Sequence, residues 1–265
     1  MNNFDDIYKY LVDTANLISQ SRFGNKMILK GGSVLMSKMI ENSRLDLYRK
    51  TTDLDIHCDK REVWIDFYTN IESILNNNNI GYVYKIIDRR SIKKGLDASD
   101  SLKFELYDNN TGKKINFKID MNIKSNTIIT CDYSPILKMT TYDALTMISD
   151  KIVVVSSQKI FRRVKDLYDL CVIVSIYDLK YSDVIQHIKV KHNGAELKNM
   201  LTQENFDAIE HAFSKYDGIA NKPDILVMIG LAQTFLQPIY YSKNVNSDMI
   251  WSKEQSSWIF LGTGN

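Results

Sequence analysis

Several signals that would settle a protein's class at once are missing from this 265-residue chain. Its 34 Lys and Arg against 32 Asp and Glu leave a formal charge of +2, so no global basic field demands a nucleic-acid partner. Its 3 cysteines, Cys58, Cys131 and Cys171, lie far apart in apolar surroundings. That excludes a disulfide framework or a zinc site and fits reduced thiols in a cytoplasmic protein. No uncharged apolar run is long enough to cross a bilayer, which leaves no membrane partner to expect. The longest candidate, 225–241, contains Gln and Pro and reads as a buried helix. The opening Met1-Asn2-Asn3-Phe4-Asp5-Asp6 lacks the basic and apolar regions of a signal peptide. There is no repeat, no low-complexity segment and no Pro/Gly-rich tether.

What is present is an ordinary globular balance, 44% hydrophobic and 25% charged. Phe4, Ile7, Tyr8, Leu11, Ala15 and Ile18 make one helical stripe over 4–20. Met27-Ile28-Leu29 is a short strand running into glycines, and a helix follows through Val34, Leu35, Met36, Met39 and Ile40. Further strands are expected at 51–58, 81–87, 101–107 and 113–123, the last two forming a hairpin across the turn 108–112. A helix is expected over 62–76, and the charged stretch 88–100 reads as an exposed, mobile loop. After Pro135 the character changes to helix. Thr140-Thr141-Tyr142-Asp143 resembles a capping box with Asp in place of Glu. Helices should follow to about 155 and over 161–175, 181–189, 203–215 and 223–237. The expected fold is α+β: an α/β catalytic domain with a mixed sheet over 1–135, then a helical domain over 136–265 completing the cleft.

Two motifs carry chemistry. Lys30-Gly31-Gly32-Ser33 opens a helix, where backbone N–H groups can meet phosphate. Thr52-Asp53-Leu54-Asp55-Ile56 puts two carboxylates on one side of a strand, because strand side chains alternate. Such oxygen ligands suit Mg²⁺ beside a triphosphate, with Mn²⁺ as a substitute. Either motif alone is equally a plain turn or a solvated strand face. Asp120 adds a third acid on the polar side of an alternating strand, and it joins the pair if the two strands are neighbours. Phosphate cradle, metal pair and third acid outline a nucleotidyltransferase site.

Lys151, on a largely apolar helix, either snorkels or reaches into a cleft. Arg162, Arg163, Asp166 and Asp169 form either a surface ion-pair ladder or part of a site. Three basic clusters flank these residues: Lys85, Arg89, Arg90, Lys93 and Lys94; Lys113, Lys114, Lys118 and Lys124; Lys159, Arg162, Arg163 and Lys165. Together they make a polyanionic partner plausible, with Lys118, Arg162 and Arg163 as RNA contacts.

In order, Gly31-Gly32-Ser33, Thr52-Asp53-Leu54-Asp55, Phe117-Lys118-Ile119-Asp120, Asp150-Lys151 and Arg163-x-Lys165-Asp166-Leu167-Tyr168-Asp169-Leu170 resemble the motifs of the AbiEii/AbiGii-type nucleotidyltransferase toxins. These belong to the DNA polymerase β-like superfamily. The resemblance runs from about 28 to 175. It implies a toxin of a toxin–antitoxin or abortive-infection (phage-defence) system that moves a nucleotide from an NTP to an RNA acceptor, foremost the tRNA 3′ end, and so stops translation. It also implies a separately encoded antitoxin, such as a transcriptional regulator. Gly31, Gly32 and Ser33 would then hold the triphosphate, Asp53 and Asp55 Mg²⁺, and Asp120 would help to deprotonate the acceptor hydroxyl. Lys151 would contact nucleotide phosphates, and Asp166 would be an essential acid in or beside the site. The spacer from Ser33 to Asp53 is longer than the minimal superfamily signature, and Asp108 and Asp132 compete with Asp120 by pattern. Other acceptors, a protein or a small molecule, and a non-catalytic NTP-binding module are the alternatives.

Overall fold

The computed structural model describes residues 4–94, 97–123, 129–157, 159–193, 196–241 and 248–260. Its contacts group the chain into two compact units, one drawn from Met1–Glu41, Lys50–Asn126 and Cys131–Tyr142, the other from Asn42–Arg49, Thr127–Thr130 and Asp143–Asn265.

The first unit is built on a seven-stranded mixed sheet. Its strands are β1 (Ile28–Lys30), β2 (Asp53–Cys58), β3 (Tyr82–Lys94), β4 (Asp97–Asp108), β5 (Lys114–Ile123), β6 (Cys131–Ser134) and β7 (Met139–Tyr142), in the order β3-β4-β5-β2-β1-β7-β6. β2 runs parallel to β5 and antiparallel to β1, and β1 runs parallel to β7. Helices α1 (Phe4–Gln20) and α3 (Arg61–Asn76) pack against each other and against β2. Strand alternation separates the two faces of the sheet. Leu54, Ile56, Leu102, Phe104, Phe117, Ile119 and Met121 are buried, as are Leu11, Ala15 and Ile18 of α1 and Phe67, Ile71 and Leu75 of α3. Phe104 and Phe117 stack with centroids 5.3 Å apart. The intervening residues Asp53, Asp55, Lys118, Asp120, Ser101 and Lys103 take the opposite face. Helix α2 (Gly31–Glu41) starts directly where β1 ends.

In the second unit, α4 (Ala144–Val155) packs on α5 (Val164–Ile176), and α5 on α8 (Ile225–Tyr241). A small sheet joins β8 (Leu179–Lys180), β9 (Met249–Ser252) and β10 (Ser257–Phe260). Helices α6 (Tyr181–Lys191) and α7 (Gln203–Lys215) complete the unit. Trp251 is fully buried and donates its indole N–H to the Val174 carbonyl at 2.7 Å.

The structure corrects three expectations. The stretch 88–100 is no loop: its described residues extend β3 and β4 into one long hairpin, paired from Tyr82 with Asp108 to Lys94 with Asp97. Charged residues along both strands of a hairpin look like a loop in sequence, although the backbone ladder needs no apolar side chains. Residues 95–96, 124–128 and 158 lie outside the described set, so part of the run 127–131 and Lys124 do too. The contact grouping places β6 and β7 with the first unit, since β7 pairs with β1. Thr140 is no helix cap, since it lies within β7. Asp143 is the cap, its carboxylate accepting the Thr146 N–H at 2.8 Å. The helix expected over 161–175 begins with a 3-10 turn, Ile160–Arg163.

Candidate active site

Lys30 is the last residue of β1, and Gly31 turns the chain into α2 with φ +72, a left-handed value that favours glycine. A Cβ on Gly31 would sit 1.9 Å from Asp55 Oδ2, so only a residue without a side chain lets the Asp55 carboxylate rest on this turn. Two residues on, Ser33 is fully buried, and its Oγ has no hydrogen-bond partner. This unpartnered hydroxyl stands in the first turn beside N–H groups that have no intrahelical acceptors, donors of the kind that can meet a phosphate oxygen.

Register sets the acids. Asp55 lies across from Lys30 on β1 and from Asp120 on β5. Asp53 lies across from Lys118 and accepts a hydrogen bond from Thr52 Oγ1 at 3.2 Å. Asp53, Asp55 and Asp120 are all half-buried. Among the described residues, no three His, Cys, Asp or Glu side chains are gathered closely enough to hold a metal ion. The backbone therefore juxtaposes the acids, while their side chains are not drawn together; like charges without a cation between them repel. The two competing aspartates have other duties. Asp108 closes the β4–β5 turn, accepting from Thr111 Oγ1 at 2.8 Å and from Tyr10 O–H at 2.9 Å. Asp132 faces the Lys38 ammonium at 3.4 Å.

In the second unit, Lys151, Asp166, Asp169 and Arg49 form one chain of alternating charge, with Arg49 and Asp169 buried and Lys151 and Asp166 half-buried. Lys151 Nζ donates to Asp166 Oδ1 at 2.6 Å and to Asp169 Oδ2 at 2.7 Å. Arg49 grips Asp169 with Nε on Oδ1 and Nη2 on Oδ2, the latter at 2.8 Å. The Asp169 side chain is 0% exposed and that of Arg49 2%. Burial alone would raise the Asp169 pKa; the charges of Arg49 and Lys151 overcome that and hold it well below the usual carboxylate range. Burial likewise works against the charged form of Lys151, and Asp169 and Asp166 reverse it, so its pKa is raised. Lys151 thus neither snorkels nor stands alone, and the ion-pair ladder is mostly not a surface one. Only the Arg163–Asp166 contact, at 3.7 Å, is exposed. Asp150 points elsewhere on α4, toward Lys191 Nζ at 2.8 Å.

Arg49 escapes sequence reasoning because its segment carries no motif. Asp169, named in the sequence within the ladder, has a further signal of burial: it stands in a helix between Tyr168, Leu170 and Cys171, and an acid in such a setting needs a cation to be buried.

A mixed sheet with helices, carrying a glycine turn, an Asp-x-Asp strand and a third acid on the parallel neighbour, defines an α+β protein of the nucleotidyltransferase class. The chain belongs to the AbiEii family, "Nucleotidyl transferase AbiEii toxin, Type IV TA system", whose pattern matches residues 15–225. Two solved structures share the fold. One is JHP933 from Helicobacter pylori (13% identity, TM-score 0.52, covering 90% of each chain). The other is a candidate nucleotidyltransferase from H. pylori (12% identity, TM-score 0.52, covering 91% of this chain and 100% of that one). A search of curated proteins finds no match. No described helix is long and apolar enough to cross a membrane.

Proposed function

We propose that this protein transfers a nucleoside monophosphate from an NTP to the 3′ end of an RNA, foremost a tRNA, and thereby blocks translation in the cytoplasm as the toxin of a toxin–antitoxin or phage-defence pair. The observation that carries this reading is the contact of Asp55 with Gly31, which joins the acid strand to the phosphate-binding end of α2. The partnerless Ser33 Oγ at the same turn supports it.

Asp53, Asp55 and Asp120 would hold Mg²⁺, or Mn²⁺, which when bound screens phosphate charge and acidifies the attacking hydroxyl. The chain's own residues do the rest. Gly31 and Gly32 admit the triphosphate to the backbone N–H groups, and Ser33 Oγ donates to a phosphate oxygen. Asp120 accepts the proton of the acceptor 3′ hydroxyl. The new bond joins that oxygen to the α-phosphorus, the α–β phosphoanhydride breaks, and pyrophosphate leaves. Lys151, kept cationic by its two carboxylates, serves as a nucleotide-phosphate ligand, with Asp166 as the acid that orients it. Lys118, Arg162 and Arg163 serve the RNA backbone. A separately encoded antitoxin, such as a transcriptional regulator, restrains the activity.

The test is a labelling reaction with Mg²⁺, bulk tRNA and each α-³²P NTP in turn, on the protein and its Asp53→Ala/Asp55→Ala variant. The expected result is a labelled tRNA band with one or two of the nucleotides, reduced at least about a hundredfold in the folded variant. Undiminished labelling in that variant overturns the site. Label appearing only in protein or a small molecule overturns the RNA acceptor.

A further inference from the structure

A second feature lies on the same sheet face. Ile87, Asp88, Arg90, Ser101, Lys103 and Lys118 line a cavity of about 360 Å³. Three strands supply it in register. Lys118 lies across from Lys103, and Lys103 from Asp88; Ser101 lies between Asp120 on β5 and Arg90 on β3. The pairing slips between Ile86 and Asp88, a bulge that adds Ile87 to this face. Bulges re-aim side chains, and this one separates two neighbouring arginines. Arg89 turns to α3, its guanidinium 5.0 Å from the Tyr68 ring and its Nη1 donating to the Tyr68 carbonyl at 3.1 Å. Arg90 stays on the cavity face, 78% exposed even while its Nε donates to Asp88 Oδ2 at 3.0 Å. Lys103 and Lys118 are exposed, and no ion pair among the described residues engages them. The cavity thus sets three cations against one carboxylate.

We infer that this cavity binds the acceptor strand: the phosphates and sugar edge of the single-stranded RNA whose 3′ hydroxyl attacks. The inference rests on the nucleotidyl transfer proposed above and adds the place of the second substrate. Strand order decides the side. The α2 N-terminus stands on β1, on one flank of β2, and β5, β4 and β3 follow on the other. In-line displacement puts the leaving and attacking oxygens on opposite sides of the phosphorus. With the triphosphate at α2, the attack comes from the β5 flank, past Asp120, and the strand leading to that hydroxyl crosses β4 and β3. At about 5 Å between strands, Ser101 is one spacing from Asp120 and Arg90 two, the reach of one or two nucleotides. Lys103, Lys118 and Arg90 neutralise phosphates, and Ile87, 43% exposed, gives the ribose or base an apolar floor.

The test uses the full chain with Arg90→Ala/Lys103→Ala, beside a charge-matched control, Lys26→Ala/Lys60→Ala. Binding of a fluorescein-labelled single-stranded RNA is followed by anisotropy at several salt concentrations, and NTP binding by calorimetry. The expected result is at least tenfold weaker RNA binding, with the slope of log K against log salt reduced by about 1.4, since each phosphate contact on a single strand contributes about 0.7. NTP affinity stays within twofold and the control matches wild type. RNA affinity and slope unchanged in the variant, while wild type still labels RNA, overturn the cavity's role alone. An equal loss of NTP affinity reassigns the cavity to the triphosphate and overturns it too. A wild-type protein that neither binds nor labels RNA overturns the acceptor reading together with the cavity.

Discussion

Asp55 stands across from Asp120 on neighbouring strands, half-buried, like charge beside like charge. Asp169 lies fully buried between Arg49 and Lys151, each carboxylate oxygen held by a cation. The same chemical group thus does two different things. The cluster on α4 and α5 is electrically complete within the chain: two cations and two acids alternate, and nothing further is needed to keep them charged. On the sheet face, register sets Asp55 across from both Lys30 and Asp120, without gathering the three acid side chains into one group. Asp169, which its own fold neutralises, is an anchor for that fold; the acids on the sheet face stay half-buried and open to solvent.

The sharpest way to break this comparison is Asp169→Ala. It leaves buried Arg49 and half-buried Lys151 without their shared counter-charge and should cost about 3–5 kcal/mol in urea unfolding. A loss under about 1 kcal/mol would show that the cluster is not a structural anchor. Asp169→Asn adds the pH dependence. The folded pKa of Asp169 is depressed, so its contribution is present above the unfolded value of about 3.9 and is lost as pH falls through the folded value. The stability gap between wild type and Asp169→Asn should therefore be widest near neutral pH and narrow below about pH 4.

Gly31→Ala comes next. It meets a left-handed φ and a carboxylate oxygen at 1.9 Å, and should cost about 1–3 kcal/mol. It should also abolish NTP binding by calorimetry, because the turn must shift away from Asp55. A variant with normal NTP affinity would detach the turn from the phosphate. Arg163→Ala is expected to do least. Its pair with Asp166 spans 3.7 Å and its side chain is 54% exposed, so stability should stay within about 0.5 kcal/mol. Any effect should fall on RNA affinity, read by anisotropy.

Much of this was legible in the sequence, and the reasons differ by residue. The glycine turn, the Asp53/Asp55 strand and the 113–123 strand announce themselves because one face of each is apolar and buried. The parallel pairing of Asp55 with Asp120 was not legible, because whether two strands are neighbours leaves no local signature. The outer half of the β3–β4 hairpin was illegible, because Arg89 occupies the helix side by stacking on Tyr68 where an apolar residue would signal a strand. β7 was hidden by its length of four residues, two of them threonine. The Arg49–Asp169 pair was illegible for another reason: a contact between residues 120 apart has no local signature, and only the apolar neighbours of Asp169 betray that it must be satisfied from far away.

That separation acquires a meaning on the ribosome. The unit that bears Gly31, Asp55 and Asp120 is synthesised in full once Tyr142 has been added. The other unit begins earlier, at Asn42, and is finished only with the last strands of the chain. Arg49 is added 120 residues before Asp169, an interval of about 6–24 seconds at ~5–20 residues per second. Throughout it a guanidinium destined for burial stays hydrated on the nascent chain. An interruption of translation between Tyr142 and Asp169 leaves a fragment with its acid strands complete and its Arg49 without the carboxylate it was made to meet.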